Sequence, residues 1–177
     1  MAQDKDAEKQ LASFMAKYTA EIAELAGTIR SEMRKLYPTA LELVYDNYNA
    51  LAIGYCPSER PSEAIFSIAL YPNWVSLFFL QAKGLADPDR ILRGNGTVAR
   101  HVVLTSAAML HHPSVRALMV DAEARAKVSF DPHAKHRLII RSVSAAQRPR
   151  QNSHEDPKRA SQLRTQRSRK IAEAGAR

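Results

Sequence analysis

The stretch that decides the fold runs from residue 51 to residue 81 and reads LAIGYCPSERPSEAIFSIALYPNWVSLFFLQ. Within it, residues 51–55, 64–71 and 74–81 are short runs rich in β-branched and aromatic side chains. Each run is bounded by Pro, Gly, Asn or Ser, as strands commonly are. The connection Tyr71-Pro72-Asn73-Trp74 predicts a hairpin between the second and third runs. We therefore expect an antiparallel meander in the middle of the chain.

The N-terminal side of this meander is helical in pattern. Apolar residues between positions 11 and 36 recur every three or four residues, as on an amphipathic helix. Gly27-Thr28 predicts a stop and a new start, and therefore two helices end to end, and Pro38 ends the second. Thr39, with Glu42 three residues later, resembles a capping box and predicts a short helix over residues 39–45.

On the C-terminal side, residues 100–104 and 137–143 predict two more strands, and Ser114 caps a helix between them. The buried stripe of that helix contains Val115, Leu118, Met119 and Ala122. Helices, then a meander, then a helix predict an α+β fold, a two-layer sandwich of an antiparallel sheet with helices on one face. We assign this domain to residues 1–146.

The basic charge is concentrated in the C-terminal part of the sequence. Residues 135–177 contain 12 Lys and Arg against 3 Asp and Glu, whereas residues 1–134 are almost neutral at −1. Residues 147–177 are too poor in apolar side chains to form a core, so we expect a disordered basic tail. Such a tail would bind nucleic acid non-specifically through phosphates. It contains no aromatic residue that could stack on bases.

Composition points to a cytoplasmic protein that is not a membrane protein. The first ten residues are rich in charge, which does not fit a secretory signal, and the most apolar run, residues 74–80, is too short to cross a bilayer. The one cysteine, Cys56, forms no intramolecular disulfide, and we expect it to be buried. No catalytic or metal-ligand pattern stands out, so we expect no enzyme activity and no cofactor.

Three segments resemble a known family. They read ELVYDNYNAL at 42–51, SEAIFSI at 62–68, and LADPDRILRGNG at 85–96 followed by Arg100-His101-Val102. They are similar to the YdhG-like family, catalogued as domain of unknown function 1801, and the similarity covers about residues 36–126. The segment at 141–150, RSVSAAQRPR, is similar to the end of some members. The resemblance implies a frataxin-like α/β sandwich.

Most members of that family have no assigned activity, and a few are proposed to be iron chaperones. Thr97 stands where relatives often have a lysine, which weakens the case for an anion site. Iron carriage needs a surface rich in carboxylates, because hard iron ions prefer oxygen ligands. The acids of this chain are scattered, so iron carriage ranks last among the functions considered.

The best local candidate for a ligand site is a glycine loop. Glycines allow backbone N–H groups to approach an anion, and arginines add charge. The alternative is a tight turn that needs glycine for its backbone angles, with an arginine packed on the sheet. The residues in question are Arg93, Gly94, Asn95, Gly96, Arg100 and His101.

A second candidate site for a planar or apolar ligand is the cluster of aromatic residues around the first strands, in which Tyr45 and Tyr48 are the chosen site residues. The full cluster is Tyr37, Tyr45, Tyr48, Tyr55, Tyr71 and Trp74. The alternative is that they cover the core and the sheet edge. We therefore expect a non-enzymatic binding module for a small ligand or protein partner. An accessory protein that binds nucleic acid through its tail is the alternative function. Edge strands would also permit a homodimer.

Overall fold

A computed structural model of the protein describes residues 2–151, which contain the following helices and strands. Helix α1 spans Ala2–Met15, α2 spans Ala20–Leu36 and α3 spans Pro113–Ala124. The strands are β1 Leu41–Asp46, β2 Leu51–Cys56, β3 Phe66–Leu70, β4 Val75–Phe79, β5 Arg100–Leu104 and β6 Leu138–Val143. Short 3₁₀ helices lie at Pro61–Glu63 and Ala107–His111.

The six strands form one open sheet in the order β5-β4-β3-β2-β1-β6. Strands β1 to β5 are an antiparallel meander, in which each strand pairs with the next. After β5 the chain passes through α3 to the opposite edge, where β6 pairs parallel with β1. The meander and a strand at 137–143 were predicted. The parallel pairing of that strand with β1 was not, since the sequence pattern indicated an antiparallel sheet.

Helices cover one face of this sheet, which we call the covered face. The side chains of Ile53, Phe66 and Ile68 are buried there with no more than 1% exposed. They form one hydrophobic cluster with Ile29 of α2 and Met119 of α3. This arrangement confirms the predicted α+β fold with helices on one face. No described helix is long and apolar enough to cross a membrane.

The break between the first two helices is not where the sequence predicted it. The prediction at Gly27-Thr28 was wrong, because α2 runs through both residues and starts after Thr19, whose hydroxyl accepts from Ile22 N. The physical reason is Tyr18, which is buried in the core. Its hydroxyl donates to the Leu70 carbonyl and accepts from Leu51 N, both at 2.9 Å.

The short helix predicted over residues 39–45 was also wrong, since this segment contains strand β1. The capping-box pattern of Thr39 and Glu42 is overridden by tertiary pairing, because β1 forms ladders with both β2 and β6. Leu43 and Val44 are buried on opposite faces of the sheet. Residues that are buried on both faces fit a central strand better than a surface helix.

Other predicted elements match the structure. The strands at 51–55, 64–71, 74–81, 100–104 and 137–143 are confirmed, and Tyr71 N donates to the Trp74 carbonyl at 2.9 Å in the hairpin turn. The buried stripe of α3 is confirmed, but Ser114 does not cap it. The helix begins at Pro113, and the Ser114 hydroxyl donates instead to Asp89 at 2.5 Å.

A fully buried acid ties the first two helices to the covered face. Glu42 of β1 accepts hydrogen bonds from Arg30 and Arg34 of α2, at 2.6 and 2.7 Å, and both arginines also bind Glu8 of α1. His136 lies 3.4 Å away. Burial alone would raise the pKa of Glu42, but the nearby His136 ring and the hydrogen bonds from Arg30 and Arg34 outweigh it and lower the pKa to about 2.

The packed structure continues past the predicted domain boundary at residue 146. We call residues 147–151 the C-terminal strap. Arg150 has 4% of its surface exposed, and Gln151 donates to the Tyr18 carbonyl at 3.0 Å. A charge that finds a buried partner can pack even where apolar residues are few, which explains why composition did not reveal the strap. The rest of the predicted tail, residues 152–177, lies outside the described residues.

Candidate functional site

The second face of the sheet, which we call the open face, is determined by strand register. Because side chains alternate across a strand, residues paired across the ladders share a face. One row across the open face contains Leu43, Gly54, Ser67, Phe78 and His101. The next row contains Tyr45, Ala52, Ala69, Ser76 and Val103.

The centre of the open face therefore consists of small residues. The central positions of β2 and β3 that face this side are Ala52, Gly54, Ser67 and Ala69, and Cys56 follows at the end of β2. Larger side chains stand at both sides of them, so the centre is sunken. Ala69 is only 5% exposed and Ser67 only 8%, because the surrounding side chains shield them. A face of this composition leaves little apolar area in water and does not need a covering helix.

This depression forms a pocket of about 540 Å³, which we call the open-face pocket. Its volume lies within the range of small-molecule sites, roughly 300–1,000 Å³. The floor is formed by Ala52, Ser67 and Ala69, and the β1–β2 turn contributes Asn47, Asn49 and Ala50. The walls are formed by Tyr48, Tyr71, Phe78 and Leu80.

Each of the three aromatic walls is held by a second group that does not itself line the pocket. Tyr71 stacks on Trp74 with ring centroids 5.0 Å apart, and Phe78 stacks on His101 at 4.8 Å. The guanidinium of Arg148 lies 5.5 Å from the centre of the Tyr48 ring. Such contacts restrict the side chains before any ligand arrives, which lowers the entropy cost of binding.

Two polar atoms on the open face are buried and have no hydrogen-bond partner within the described part of the chain. They are the Ser76 Oγ and the Tyr45 hydroxyl, which occupy the same row of the sheet. Ser76 is fully buried although none of the described helices covers this face. Buried polar groups are usually satisfied, because an unmade hydrogen bond costs about 1–3 kcal/mol. These two atoms mark the open face as incompletely satisfied.

The C-terminal strap fixes the turn that lines the pocket. Arg148 N donates to the Tyr48 carbonyl at 2.9 Å, and the Arg150 guanidinium donates to the Asn47 carbonyl. Arg150 also forms an ion pair of 2.9 Å with Asp46, which is fully buried on the covered face. Lys17 of the α1–α2 connection binds the same carboxylate at 2.7 Å. The strap thus joins the helical layer to the rim of the pocket.

The glycine loop predicted as a site packs beside β5. Arg93 and His101 exchange backbone hydrogen bonds of 2.7 and 3.0 Å, so their side chains share the open face. Gly94 has a φ of +96°, and a Cβ there would lie 3.5 Å from the His101 ring. At Gly96 a Cβ would come within 2.6 Å of the Ala99 carbonyl oxygen. These glycines are required by the turn and by close packing.

Arg100, another predicted site residue, supports the loop structurally. Its side chain donates to the Leu92 carbonyl at 2.6 Å and to the Arg93 carbonyl at 3.3 Å. Asn95 is exposed at the tip of the loop. Burial lowers the pKa of His101, and the charges of Arg93 and Arg100 lower it further, so its ring is neutral at pH 7. A neutral imidazole suits its stacking on Phe78 better than its recruitment of an anion.

The structure brings some predicted site residues together and separates others. Tyr45, Tyr48, Arg93 and His101 all belong to the open face or its rim, but only Tyr48 lines the open-face pocket. None of Arg93, Gly94, Asn95, Gly96, Arg100 and His101 lines it. Of the predicted tyrosine cluster, Tyr48 and Tyr71 line the pocket, whereas Tyr37 and Tyr55 are buried in the core of the covered face. Sequence reasoning missed the small floor and the walls Phe78 and Leu80. A signal existed in the alternation of Ala, Gly and Ser with large apolar residues along 51–56 and 66–70.

The described surroundings of Cys56, His133 and His136 do not indicate a reactive thiol or a metal site. Cys56 is buried at the end of β2, and burial raises the pKa of its thiol to about 12. His136 faces Glu42, and the His133 backbone N–H bonds to Asp131. In residues 2–151 no group of three or more His, Cys, Asp or Glu is arranged to hold a metal ion.

A second, shallower groove of about 580 Å³ lies along α3. Its lining includes Ala117 and Val120, which are both exposed, and Asp121, which forms an ion pair with Arg125. It contains no aromatic wall. It is the weaker candidate of the two described pockets and serves below as a control position.

Comparison with known proteins adds no relative. No protein-family model, no curated protein and no solved structure matches this chain. The resemblance to the YdhG-like family stays a prediction, and the function is inferred from the residues of the pocket.

Proposed function

We propose that this protein is a non-enzymatic binding module whose site is the open-face pocket, with a small, planar ligand as its occupant. The observation that carries the proposal is the pocket's construction. Three aromatic side chains surround a floor of Ala and Ser. Trp74 stacks on Tyr71, His101 stacks on Phe78, and the Arg148 guanidinium lies near the Tyr48 ring. Flat apolar walls that are already fixed favour a flat ligand over a flexible one.

The lining also favours binding without catalysis. It offers amide groups of Asn47 and Asn49, the hydroxyls of Tyr48 and Tyr71, and the hydroxyl of Ser67. Burial raises the pKa of Tyr71, so this hydroxyl stays protonated at neutral pH. General acid–base work at neutral pH calls for a group that titrates near 7. The described lining residues supply hydrogen bonds instead.

The proposal is tested by titrating the full-length, ¹⁵N-labelled chain with 2-naphthamide, a neutral two-ring probe, and following amide NMR shifts. We expect saturable changes at Tyr48, Ala52 and Ala69. Ala52→Trp, which fills the partly exposed floor position, should abolish them. The matched variant Ala117→Trp fills the α3 groove instead and should leave binding unchanged.

The proposal fails if neither this probe nor its acid, 2-naphthoate, shifts the floor residues, or if Ala52→Trp binds like the parent chain. Loss of binding in Ala117→Trp alone would move the site to the α3 groove. A thermal melt of each variant distinguishes a filled pocket from an unfolded chain.

Other predicted functions have less support. Nucleic-acid binding through the tail depends mainly on residues 152–177, which lie outside the described residues. Iron carriage would need a cluster of ligands, and residues 2–151 contain none. A protein partner on the open face would compete with the naphthyl probe and would be found by that competition. Cytoplasmic location and homodimer formation stay predictions.

A further inference from the structure

We propose that the open-face pocket selects a planar ligand that carries a negative charge, and that Arg148 of the C-terminal strap is the specificity-determining residue. This inference rests on the proposed function and names the chemical class of its ligand. Three observations support it: the position of Arg148, the lack of a described carboxylate paired with its guanidinium, and the charges around the pocket.

The position of Arg148 is set by its backbone and by its neighbour. Its N–H donates to the Tyr48 carbonyl, and two residues later Arg150 anchors the strap on buried Asp46. The Arg148 guanidinium therefore stays near the Tyr48 ring, one of the pocket walls. An arginine that is held at a rim loses less freedom when it binds an anion than one on a free segment.

Arg148 also has an unused charge. Among residues 2–151, its guanidinium has no carboxylate within ion-pair distance, whereas Arg150, two residues away, has Asp46. Arg30 and Arg34 are likewise paired with acids. The exposed side chain of Arg148 remains available to a ligand.

The charges around the pocket favour an anion over a cation. None of the ten described lining residues is acidic or basic. The nearest acid along the chain, Asp46, points to the covered face, where Lys17 and Arg150 neutralise it. Arg93 adds a second basic side chain on the open face, beyond His101. A neutral lining with cations at its rim attracts a carboxylate or sulfonate on a flat ring.

The test compares two probes of the same shape that differ in charge, 2-naphthoate and 2-naphthamide, on the full chain in low salt. We expect naphthoate to bind about fivefold tighter, near the upper limit for an exposed ion pair. Arg148→Gln should remove this preference. Because it also removes the contact with the Tyr48 ring, it should weaken both probes, so the readout is the ratio of the two affinities. Arg60→Gln makes the same charge change at the opposite end of β2, where Arg60 is 80% exposed, and should retain the preference.

The outcomes separate this inference from the proposed function. If both probes bind equally and Ala52→Trp abolishes both, the pocket is confirmed and anion selection is overturned. If the preference survives Arg148→Gln, a different cation such as Arg93 is responsible, and the role of Arg148 is overturned. If Arg60→Gln loses the preference as well, the effect is one of net charge. The preference should also shrink as salt is raised to 0.5 M, since exposed charges are screened.

Discussion

The two faces of the sheet differ in side-chain size and burial, although neighbouring residues of the same strands form them. In β3, Phe66 and Ile68 point to the helices and are completely buried, while Ser67 and Ala69 point away into the open-face pocket. The covered face contains large apolar side chains and charged groups that are paired, such as Glu42 with Arg30. The centre of the open face contains small side chains, and beside it Leu41, Leu43 and Cys56 belong to a second buried cluster. Buried polar atoms without a partner among the described residues occur on both faces: the Ser76 and Tyr45 hydroxyls on the open face and the Tyr55 hydroxyl on the covered face.

This difference indicates which face is specialised for folding and which for binding. Large side chains on the covered face exclude water and stabilise the fold in proportion to the apolar area they bury. Small side chains on the open face contribute little to stability but leave a volume that a ligand can occupy. If this division holds, substitutions on the covered face should reduce stability far more than substitutions on the open face.

Phe66→Ala should lower the free energy of unfolding by about 3–5 kcal/mol, the usual cost of truncating a buried aromatic. Phe66 packs between Tyr37 and Phe79, with ring centroids at 5.1 and 5.8 Å. Ser67→Ala changes the next residue, on the other face, and should alter the free energy by no more than about 0.5 kcal/mol. Urea unfolding measures both values, and equal losses would contradict the division between the faces.

Glu42 should make stability depend on acid pH. Its ordinary pKa of 4.5 falls to about 2 in the folded chain, because the nearby His136 ring and the hydrogen bonds from Arg30 and Arg34 outweigh its burial. A lowered pKa stabilises the fold above pH 4.5, and this contribution is lost as the pH falls from about 4.5 to about 2. The loss is about 3 kcal/mol.

The check on Glu42 is urea unfolding repeated between pH 7 and pH 2. Glu42→Gln should have a lower free energy of unfolding at pH 7, and that free energy should change less with pH than in the parent chain. Glu59→Gln, which removes a half-exposed acid, should keep the pH dependence of the parent chain. An unchanged slope in Glu42→Gln would assign the acid sensitivity to other carboxylates.

Arg150→Met should lower the free energy of unfolding by about 2 kcal/mol. Removing one partner of a buried pair is costly, but Lys17 still compensates Asp46 and moderates the loss. Arg148→Gln, an exposed change of the same charge two residues earlier, should have almost no effect on stability. A chain ending at Ala146 should be at least as unstable as Arg150→Met, and a chain ending at Gln151 should keep the strap.

The contacts of the C-terminal strap also determine which truncation isolates the tail. A truncation at residue 146 removes the strap contacts to Asn47 and Tyr48 together with the tail. Any loss of nucleic-acid binding in that truncation would therefore mix two causes. A truncation after Gln151 tests residues 152–177 alone.

Ser76→Ala should raise the free energy of unfolding by up to about 1 kcal/mol, the smallest effect in this series. The Ser76 Oγ is buried on the open face and has no partner among the described residues, so its removal eliminates a desolvation cost. The same urea assay detects the gain. A loss of more than about 1 kcal/mol would mean that this hydroxyl is satisfied and that the open face resembles the covered one.

Local sequence predicted well where one periodicity dominates. The strand pattern of residues 51–81 and the hairpin at Tyr71 depend on alternation and turn residues, which are local properties. It predicted poorly where distant residues compete. The segment at 39–45 looks like a capped helix in isolation, but pairing with β2 and β6 makes it a strand. Gly27 looks like a helix end, but the burial of Tyr18 places the break earlier.

The candidate site shows the same limit. Tyr48 was predicted from the tyrosine cluster, and it lines the pocket. The glycine loop was predicted as an anion site because Gly94 and Gly96 form a recognisable pattern. In the structure, Gly94 is needed for a positive φ in a turn and Gly96 for a close backbone approach. The floor of Ala and Ser was missed because small residues have no distinctive chemistry until register places them side by side.

Periodicity and turn residues act over a few positions, so local sequence was enough to predict the α+β class, the strands of the meander and the buried stripe of α3. It could not predict that Ala52, Ser67 and Ala69 share one depression, or that Arg150 buries its charge on Asp46. The physical reason is that side-chain burial and ion pairing depend on residues far apart in sequence. Arg150 and Asp46 are 104 positions apart, and no local pattern records such a contact.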